Sequence, residues 1–272
     1  MKKKATLTSP AIFILVAFAV VPLFIMFYYS FLSDGDTAKL TLNNYINFFS
    51  KGLYLKLTAK TIKLSLIVTI ICILIGYPMA YIMAKVIEKG KNILLLLIII
   101  PFWTSELVRV YSWVNLLRDG GILEVFLKKL HIISSSSLGL LFTQNAVIIG
   151  LVHVFFPYMV ITIYMSLEKI DTSIIEASKS LGASPLKTFI NVILPLSKNG
   201  IITGCILVFV PCLGSFVEPR ILGGVNGSVI GTIIEDQFFE IYGWNFGAAI
   251  AFILLALVLI SMKVLSYFNQ EV

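Results

Sequence analysis

Glu106 is a carboxylate set among Trp103, Tyr111 and Trp113, with Arg109 one helical turn further on. An ionisable group surrounded by this much apolar sequence is expensive to keep and marks a functional position. A carboxylate beside aromatic faces supplies what a route for an organic cation needs, a counter-charge and cation–π contact. A second reading stands beside it: Glu106 and Arg109, spaced i, i+3, neutralise each other across one turn. In that reading the aromatics are interface-belt residues. The other carboxylate of this kind is Glu218, which follows Pro211, Gly214 and Phe216. Proline and glycine there can open a helix beside a pathway, which makes Phe216 and Glu218 further candidates. His153 stands alone in an apolar stretch and reads as a packing residue rather than a metal or proton-relay site.

No constellation for covalent chemistry accompanies these residues. There is no H-E-x-x-H, no nucleophile with its base and no G-x-x-x-x-G-K-S/T. Cys72, Cys205 and Cys212 lack the C-x-x-C spacing of a metal site and read as small buried hydrophobes. The expectation is a chain with no catalytic and no metal-binding residues.

The elements that must position the carboxylates are membrane helices. Of the 272 residues, 58% are hydrophobic and only 13% charged, and the mean hydropathy is +0.98. A soluble globule could not hide so much apolar surface. Six stretches are long and apolar enough to span a bilayer, at about 10–32, 62–84, 93–116, 140–166, 200–217 and 246–268. In lipid only helices satisfy their own backbone at that length, so the fold class is an all-α membrane protein of six transmembrane helices. It reads as one membrane domain over 1–272, with a core at about 62–268. Pro22, Pro78, Pro101, Pro157 and Pro211 fall inside five of the spans. The stretch from Ala11 to Leu32 follows Lys2–Lys4 but has no small-residue cleavage site, so it reads as a retained first helix. The formal charge of +7 is spread over segments flanking the spans, which points to anionic lipid headgroups of the bilayer and not to nucleic acid.

Lysine and arginine favour N- and C-termini on the inner side by a thin margin, sharpened by the acidic outer loop carrying Glu235, Asp236 and Glu240. Residues 41–63 interleave apolar and polar positions and predict a helix lying at the outer interface. Lys56, Lys60 and Lys63 form its headgroup-facing stripe.

The inner loop at 167–199, between the fourth and fifth spans, carries the most specific pattern. Ser173-Ile174-Ile175-Glu176 has the form of a capping box and predicts a helix start. Gly182 can close that helix, and Ser184-Pro185 supplies an N-cap and first-turn proline for a second one. The product is a short helical hairpin with Ile174, Ile175 and Leu181 as an apolar stripe, suited to docking in a groove on a soluble partner.

This loop closely resembles the EAA signature of ABC importer permeases. Glu176-Ala177-Ser178, Gly182, Val192 and Leu194-Pro195 occupy its places, with Ser178 and Val192 as mild departures. The resemblance implies that Glu176, Ala177, Gly182, Ala183, Leu194 and Pro195 belong to a coupling loop. Such a loop seats in a dimer of ATP-binding subunits, so it lies in the cytoplasm of a chain in the inner or plasma membrane. ATP and Mg are then used by those partners, and this chain binds no cofactor. Over nearly the whole chain the resemblance is to permeases of the spermidine/putrescine type, through Pro101-Phe102-Trp103-Thr104-Ser105, Arg109-Val110-Tyr111-Ser112-Trp113, Leu222-Gly223-Gly224 and Trp244-Asn245-Phe246-Gly247. It implies a second homologous permease and an extracytoplasmic substrate-binding protein that delivers a polyamine. Many relatives carry an acid where this chain has Arg220. An ABC permease for another small organic solute is the alternative, and an ion-coupled secondary transporter a more distant one, since no matched pair of intramembrane acids or broken helices is visible.

Overall fold

The computed structural model describes residues 13–33, 39–133 and 137–270. Lys2–Lys4 and the first residues of the first span lie outside the described residues. The helices are α1 (Val21–Ser30), α2 (Asn43–Ser50), α3 (Gly52–Tyr81), α4 (Lys91–Ile99), α5 (Glu106–Leu117), α6 (Ile122–Lys129), α7 (Gln144–Glu168), α8 (Thr172–Ser180), α9 (Pro185–Thr188), α10 (Leu194–Gly214), α11 (Val217–Gly223), α12 (Ile230–Phe239) and α13 (Trp244–Gln270). Among the described residues five helical stretches are long and apolar enough to cross a membrane: Phe13–Ser30, Gly52–Val86, Gln144–Glu168, Pro185–Gly214 and Trp244–Tyr267. The pair Lys91–Trp103 and Glu106–Lys129, bent by 96°, makes a sixth if it is counted as one broken span.

That bend corrects the expectation of one continuous third span over 93–116. Pro101 cannot donate to the helix ladder, and the chain tightens into a 3-10 turn over Ile100–Trp103 before Thr104 and Ser105 take extended backbone. The freed Pro101 carbonyl is not left bare. It accepts hydrogen bonds from the Thr104 hydroxyl at 2.6 Å and from Arg109 Nη1 at 2.8 Å, which is how a broken membrane helix stays affordable.

Two further boundaries move for a related reason. A proline's ring crowds the carbonyl four residues before it, and a π-helical turn widens the helix to make room. Such turns stand at Val16–Val20 before Pro22 and at Phe189–Ile193 before Pro195. The second lets α9 run straight into α10, so the fifth span begins at Pro185 and not near residue 200. The interface segment 41–63 is likewise split. Its first part is α2, whereas 52–63 forms the first turns of the second span. Lys60 does not face headgroups there, because its Nζ donates to the Asn226 carbonyl at 2.6 Å and the Ser228 carbonyl at 2.9 Å.

The chain divides into two compact units. In the first, formed by residues up to Thr58 and by Ile233–Leu257, Asn44 Nδ2 donates to the carbonyls of Ser30 and Leu32 at 3.0 and 2.9 Å. Phe27 meets Phe252 edge to face at 5.1 Å.

The second unit, Ala59–Thr232 with Val258–Val272, is centred on α7. Leu151, Met159, Val160, Ile163 and Leu167 of α7 are fully buried. Gly200 and Gly204 allow α10 to lie directly on α7: a Cβ on Gly200 would stand 2.5 Å from that of Ser166, and one on Gly204 2.6 Å from Met159 Sδ. Small residues at four-residue spacing are how membrane helices approach closely. On α3, Leu66, Ile70 and Leu74 form an exposed apolar stripe, which costs nothing against lipid tails as apolar as leucine.

Candidate functional site

Glu218 is 2% exposed, and the sequence around it explains how it came to be buried. The fifth span ends at Gly214, Ser215 takes extended backbone, and the chain restarts as α11. This opening of the helix after Pro211 and Gly214 is the one the sequence predicts. α11 then lies flat on α7 because both surfaces carry glycine. A Cβ on Gly150 would sit 2.5 Å from Leu222 Cδ1, and one on Gly223 2.6 Å from Val147 Cγ2. The arrangement is fixed from beyond by Lys60, which holds the carbonyls of the turn after α11.

Glu218 lines a cavity of about 340 Å³ together with Phe102, Glu106, Arg109, Phe155, Tyr158 and Phe216. Its carboxyl lies near enough to that of Glu106 for the two charges to act on each other, and the charge of Arg109 acts on Glu218 as well. No ion pair joins Glu106 to Arg109. The guanidinium instead holds the Pro101 carbonyl and stacks over the Phe102 ring at 5.7 Å. The reading in which Glu106 and Arg109 neutralise each other across one turn is therefore corrected. The 3-10 turn brings a bare carbonyl to the arginine, and the carboxylate is left facing the cavity. Glu218 Oε1 and Arg109 Nε are buried with no hydrogen-bond partner in the protein. Two neighbouring carboxylates, one with an unsatisfied oxygen, favour a positive guest.

The aromatic wall differs from the one expected. Phe102 and Tyr158 meet edge to face at 4.9 Å, with Phe155 beside Tyr158. Of the sequence candidates, Glu106, Phe216 and Glu218 come together here. Trp103, 84% exposed, and Tyr111 point outward and do not line the cavity. Trp113 borders a neighbouring apolar cavity of about 510 Å³ and packs edge to face on His153 at 5.5 Å; His153 packs there, but its Nδ1 is buried without a hydrogen-bond partner in the protein. Phe102, Phe155 and Tyr158 were not singled out. The signal available for the last two was their i, i+3 spacing on the fourth span. Arg220 is turned toward the Thr232 carbonyl, 3.5 Å away, and is not among the residues lining the cavity.

The loop between the fourth and fifth spans forms the hairpin expected of it, with one boundary shifted. The N-cap of α8 is Asp171, whose carboxylate accepts the Ser173 N–H at 2.9 Å. Ser173 lies within the helix and does not cap it, so the capping box with Glu176 does not form. An aspartate two residues earlier outcompetes it as acceptor for the same free amides. The Ser173 amide, and then its hydroxyl, hold the Asp171 carboxyl below the usual carboxylate range. Gly182 closes α8 at φ +84°, with the Ala183 N–H returning to the Ser178 carbonyl at 3.2 Å. Ser184 caps α9, accepting from the Lys187 N–H at 3.4 Å. Ser178, the departure from the EAA pattern, bonds Thr188 across the hairpin at 3.0 Å between hydroxyl oxygens. Ile175 packs against the core, leaving Ile174, Leu181 and Leu186 as the exposed apolar residues. Glu176 is exposed beside them, and Leu194 and Pro195 begin α10 at the hairpin's far end.

The chain is similar to known transport proteins over most of its length. Residues 76–272 match the family described as binding-protein-dependent transport system inner membrane component. The spermidine/putrescine transport system permease protein PotB of Escherichia coli (strain K12) is 40% identical over 239 residues, 86% of each chain. PotB of Haemophilus influenzae is 39% identical over 241 residues, 87% of this chain and 84% of that one. Among solved structures, a bacterial alginate ABC transporter in complex with an alginate pentasaccharide-bound periplasmic protein matches in fold. Its TM-score is 0.81 at 14% identity, covering 98% of this chain and 93% of that one. Helices broken at the third and fifth spans around a cavity, a hairpin between the fourth and fifth spans and this extent of identity have one common account: the chain belongs to the binding-protein-dependent transport system inner membrane component family, as a permease subunit.

Proposed function

We propose that this permease carries polyamines such as spermidine and putrescine into the cell, as one of two homologous permeases in an ATP-binding-cassette importer. The observation that carries the cargo is the cavity in which Glu106 and Glu218 face each other between Phe102, Phe155, Tyr158 and Phe216. A polyamine is a set of ammonium groups on aliphatic stems. Carboxylates supply its counter-charge, and aromatic faces accept both its methylenes and its cationic ends. The 40% identity to spermidine/putrescine permeases supports the same reading.

In this proposal an extracytoplasmic binding protein delivers the cargo, and a dimer of ATP-binding subunits uses ATP and Mg on the inner face. The termini of this chain are cytoplasmic. The α8–α9 hairpin, with Glu176, Ala177, Gly182 and Ala183 and its exposed Ile174, Leu181 and Leu186, seats in the ATPase dimer. Closure of that dimer moves the hairpin, and the cavity changes the side to which it opens.

The test is reconstitution of this chain with its second permease and ATPase partners in vesicles. ATP-driven uptake of labelled spermidine and putrescine is then measured with loaded binding protein. Stimulated uptake is expected, lost in Glu176→Ala and Gly182→Asp variants that still insert. ATP hydrolysis indifferent to polyamines would remove the cargo, and failure to associate with any ATPase would remove the importer reading itself.

A further inference from the structure

The coupling hairpin is held to a helix with which it has no chain connection. Its start, between α7 and α8, is tied by Lys85: the ammonium donates to the Ile170 carbonyl at 2.5 Å, the peptide immediately before the N-cap Asp171. That carbonyl lies just past the C-terminus of α7, where oxygens lack intrahelical donors and a cation is favoured. Ile170 itself is buried, so the bond is set in packed surroundings. The neighbouring carboxylates Asp171 and Glu168 add their charge at Lys85 against the opposing charge of Lys91, and Glu168 is fixed in turn by the Tyr164 hydroxyl at 2.5 Å. From the other side, Lys91 Nζ donates to the Ala84 carbonyl at 3.1 Å, folding the start of α4 onto the turn that carries Lys85.

The hairpin's far end is tied to the same helix. Phe189, directly after α9, meets the rings of Tyr77 and Tyr81 edge to face at 5.6 and 6.1 Å. Slightly further on, the Tyr77 hydroxyl bonds Ser197 Oγ at 2.9 Å. The Ser178–Thr188 bond closes the hairpin between its two ends. Both attachments coincide with π-helical turns, Ile82–Val86 on the second span and Phe189–Ile193 after the hairpin. Such turns rotate the residues beyond them relative to a regular helix and are frequent at functional positions.

We infer that the inner end of the second span, Tyr77–Lys85, is a two-point mount through which the coupling hairpin drives the membrane helices, and that Lys85 is its positioning residue. The chain alone would pass hairpin motion only to α7 and α10, which flank it. The mount adds α3, so the hairpin and the second span move as one body. The inference rests on the coupling reading of the hairpin above.

The test uses the full reconstituted importer and reads cargo moved per ATP hydrolysed. A hydrogen bond from a charged donor in a packed site is strong enough that Lys85→Met should lower this ratio about tenfold while hydrolysis continues. Lys85→Arg, which keeps the charge and the donors, should recover most of it. Tyr77→Phe, removing one hydroxyl, should show a smaller loss and serves if Lys85→Met assembles poorly. Spin labels at Ser180 and Lys89 give an independent readout. Their distance distribution should broaden in Lys85→Met and stay narrow in Lys85→Arg. A wild-type ratio and an unchanged distribution in Lys85→Met, with Glu176→Ala uncoupled beside it, would overturn the mount alone. Normal coupling in Glu176→Ala as well would instead bring down the hairpin's coupling role, and the mount with it.

Discussion

Replacing Glu218 by glutamine should reduce polyamine uptake far more than the same change at Glu106, although both carboxylates line one cavity. The reason is burial: Glu218 is 2% exposed, whereas Glu106 is exposed at the first turn of α5. An ammonium about 4 Å from a carboxylate gains about 4 kcal/mol at an effective dielectric near 20, and about 1 kcal/mol where water screens it. Glutamine keeps the shape and removes the charge. Glu218→Gln should therefore lower the maximal uptake rate of a dication about a hundredfold or more, and Glu106→Gln roughly fivefold. The assay is vesicle uptake at saturating loaded binding protein, so that cargo capture outside the membrane does not mask the step, with ATP hydrolysis followed in parallel. Glu218→Gln also removes one of two facing like charges, so thermal stability of the purified complex should hold or rise. That separates lost transport from lost fold. Equal losses in the two variants, or uptake at the wild-type rate in Glu218→Gln, would refute the claim that burial makes this carboxylate the main counter-charge.

Two other perturbations test the fold. A methyl group at Gly200 would stand 2.5 Å from Ser166 Cβ and 2.7 Å from the Thr162 carbonyl, so Gly200→Ala must push α10 off α7 at a cost of about 1–3 kcal/mol. Gly214→Ala meets nothing within 4 Å and should leave the thermal midpoint in detergent unchanged; equal midpoints for the two variants would contradict the packing argument. Asp171 gives a pH dependence. Its carboxyl is held below the usual range by the Ser173 amide and hydroxyl, so its capping of α8 is complete above the ordinary carboxylate value. The cap is lost only as pH falls through the lowered one. A spin label at Lys179 should keep constant mobility from pH 8 to 5 and loosen below about pH 4, whereas Asp171→Asn, an uncharged cap, should show no such step. Loosening of the wild-type label near pH 6 would refute the assignment.

The spans were legible because bilayer thickness and the absence of water leave one signal, apolar length. That signal located Gln144–Glu168 and Trp244–Tyr267 to within a few residues of expectation. It misjudged 93–116 and the start of the fifth span because hydropathy is blind to backbone direction. Pro101 was visible, but whether a proline kinks, breaks or widens a helix depends on what receives the freed carbonyl. Here Arg109 and Thr104 receive one, and a π-helical turn makes room for Pro195. The hairpin between the fourth and fifth spans was legible in its glycine and its Ser184-Pro185 start. Its first cap was not, because Asp171 and Ser173 are both good caps and sequence alone does not rank them.

The structure brings the two carboxylate candidates into one cavity and leaves two of the aromatic candidates outside it. Glu106 and Glu218 stand out because charge is rare in such a chain, so rarity alone points at them. Aromatic residues are common here, and nearness in sequence to Glu106 selected Trp103 and Tyr111, which the 96° bend turns away from the cavity. Two of the aromatics that do line the cavity with Glu218, Phe155 and Tyr158, come from the fourth span, about sixty positions distant, where Gly150 and Gly223 let α11 settle on α7. The same bend frees Glu106 from Arg109 by giving the guanidinium a carbonyl to hold. Breaking the third span thus does two things at once: it satisfies an arginine with backbone, and it leaves two carboxylates lining the cavity with one guanidinium between them, a site short of positive charge.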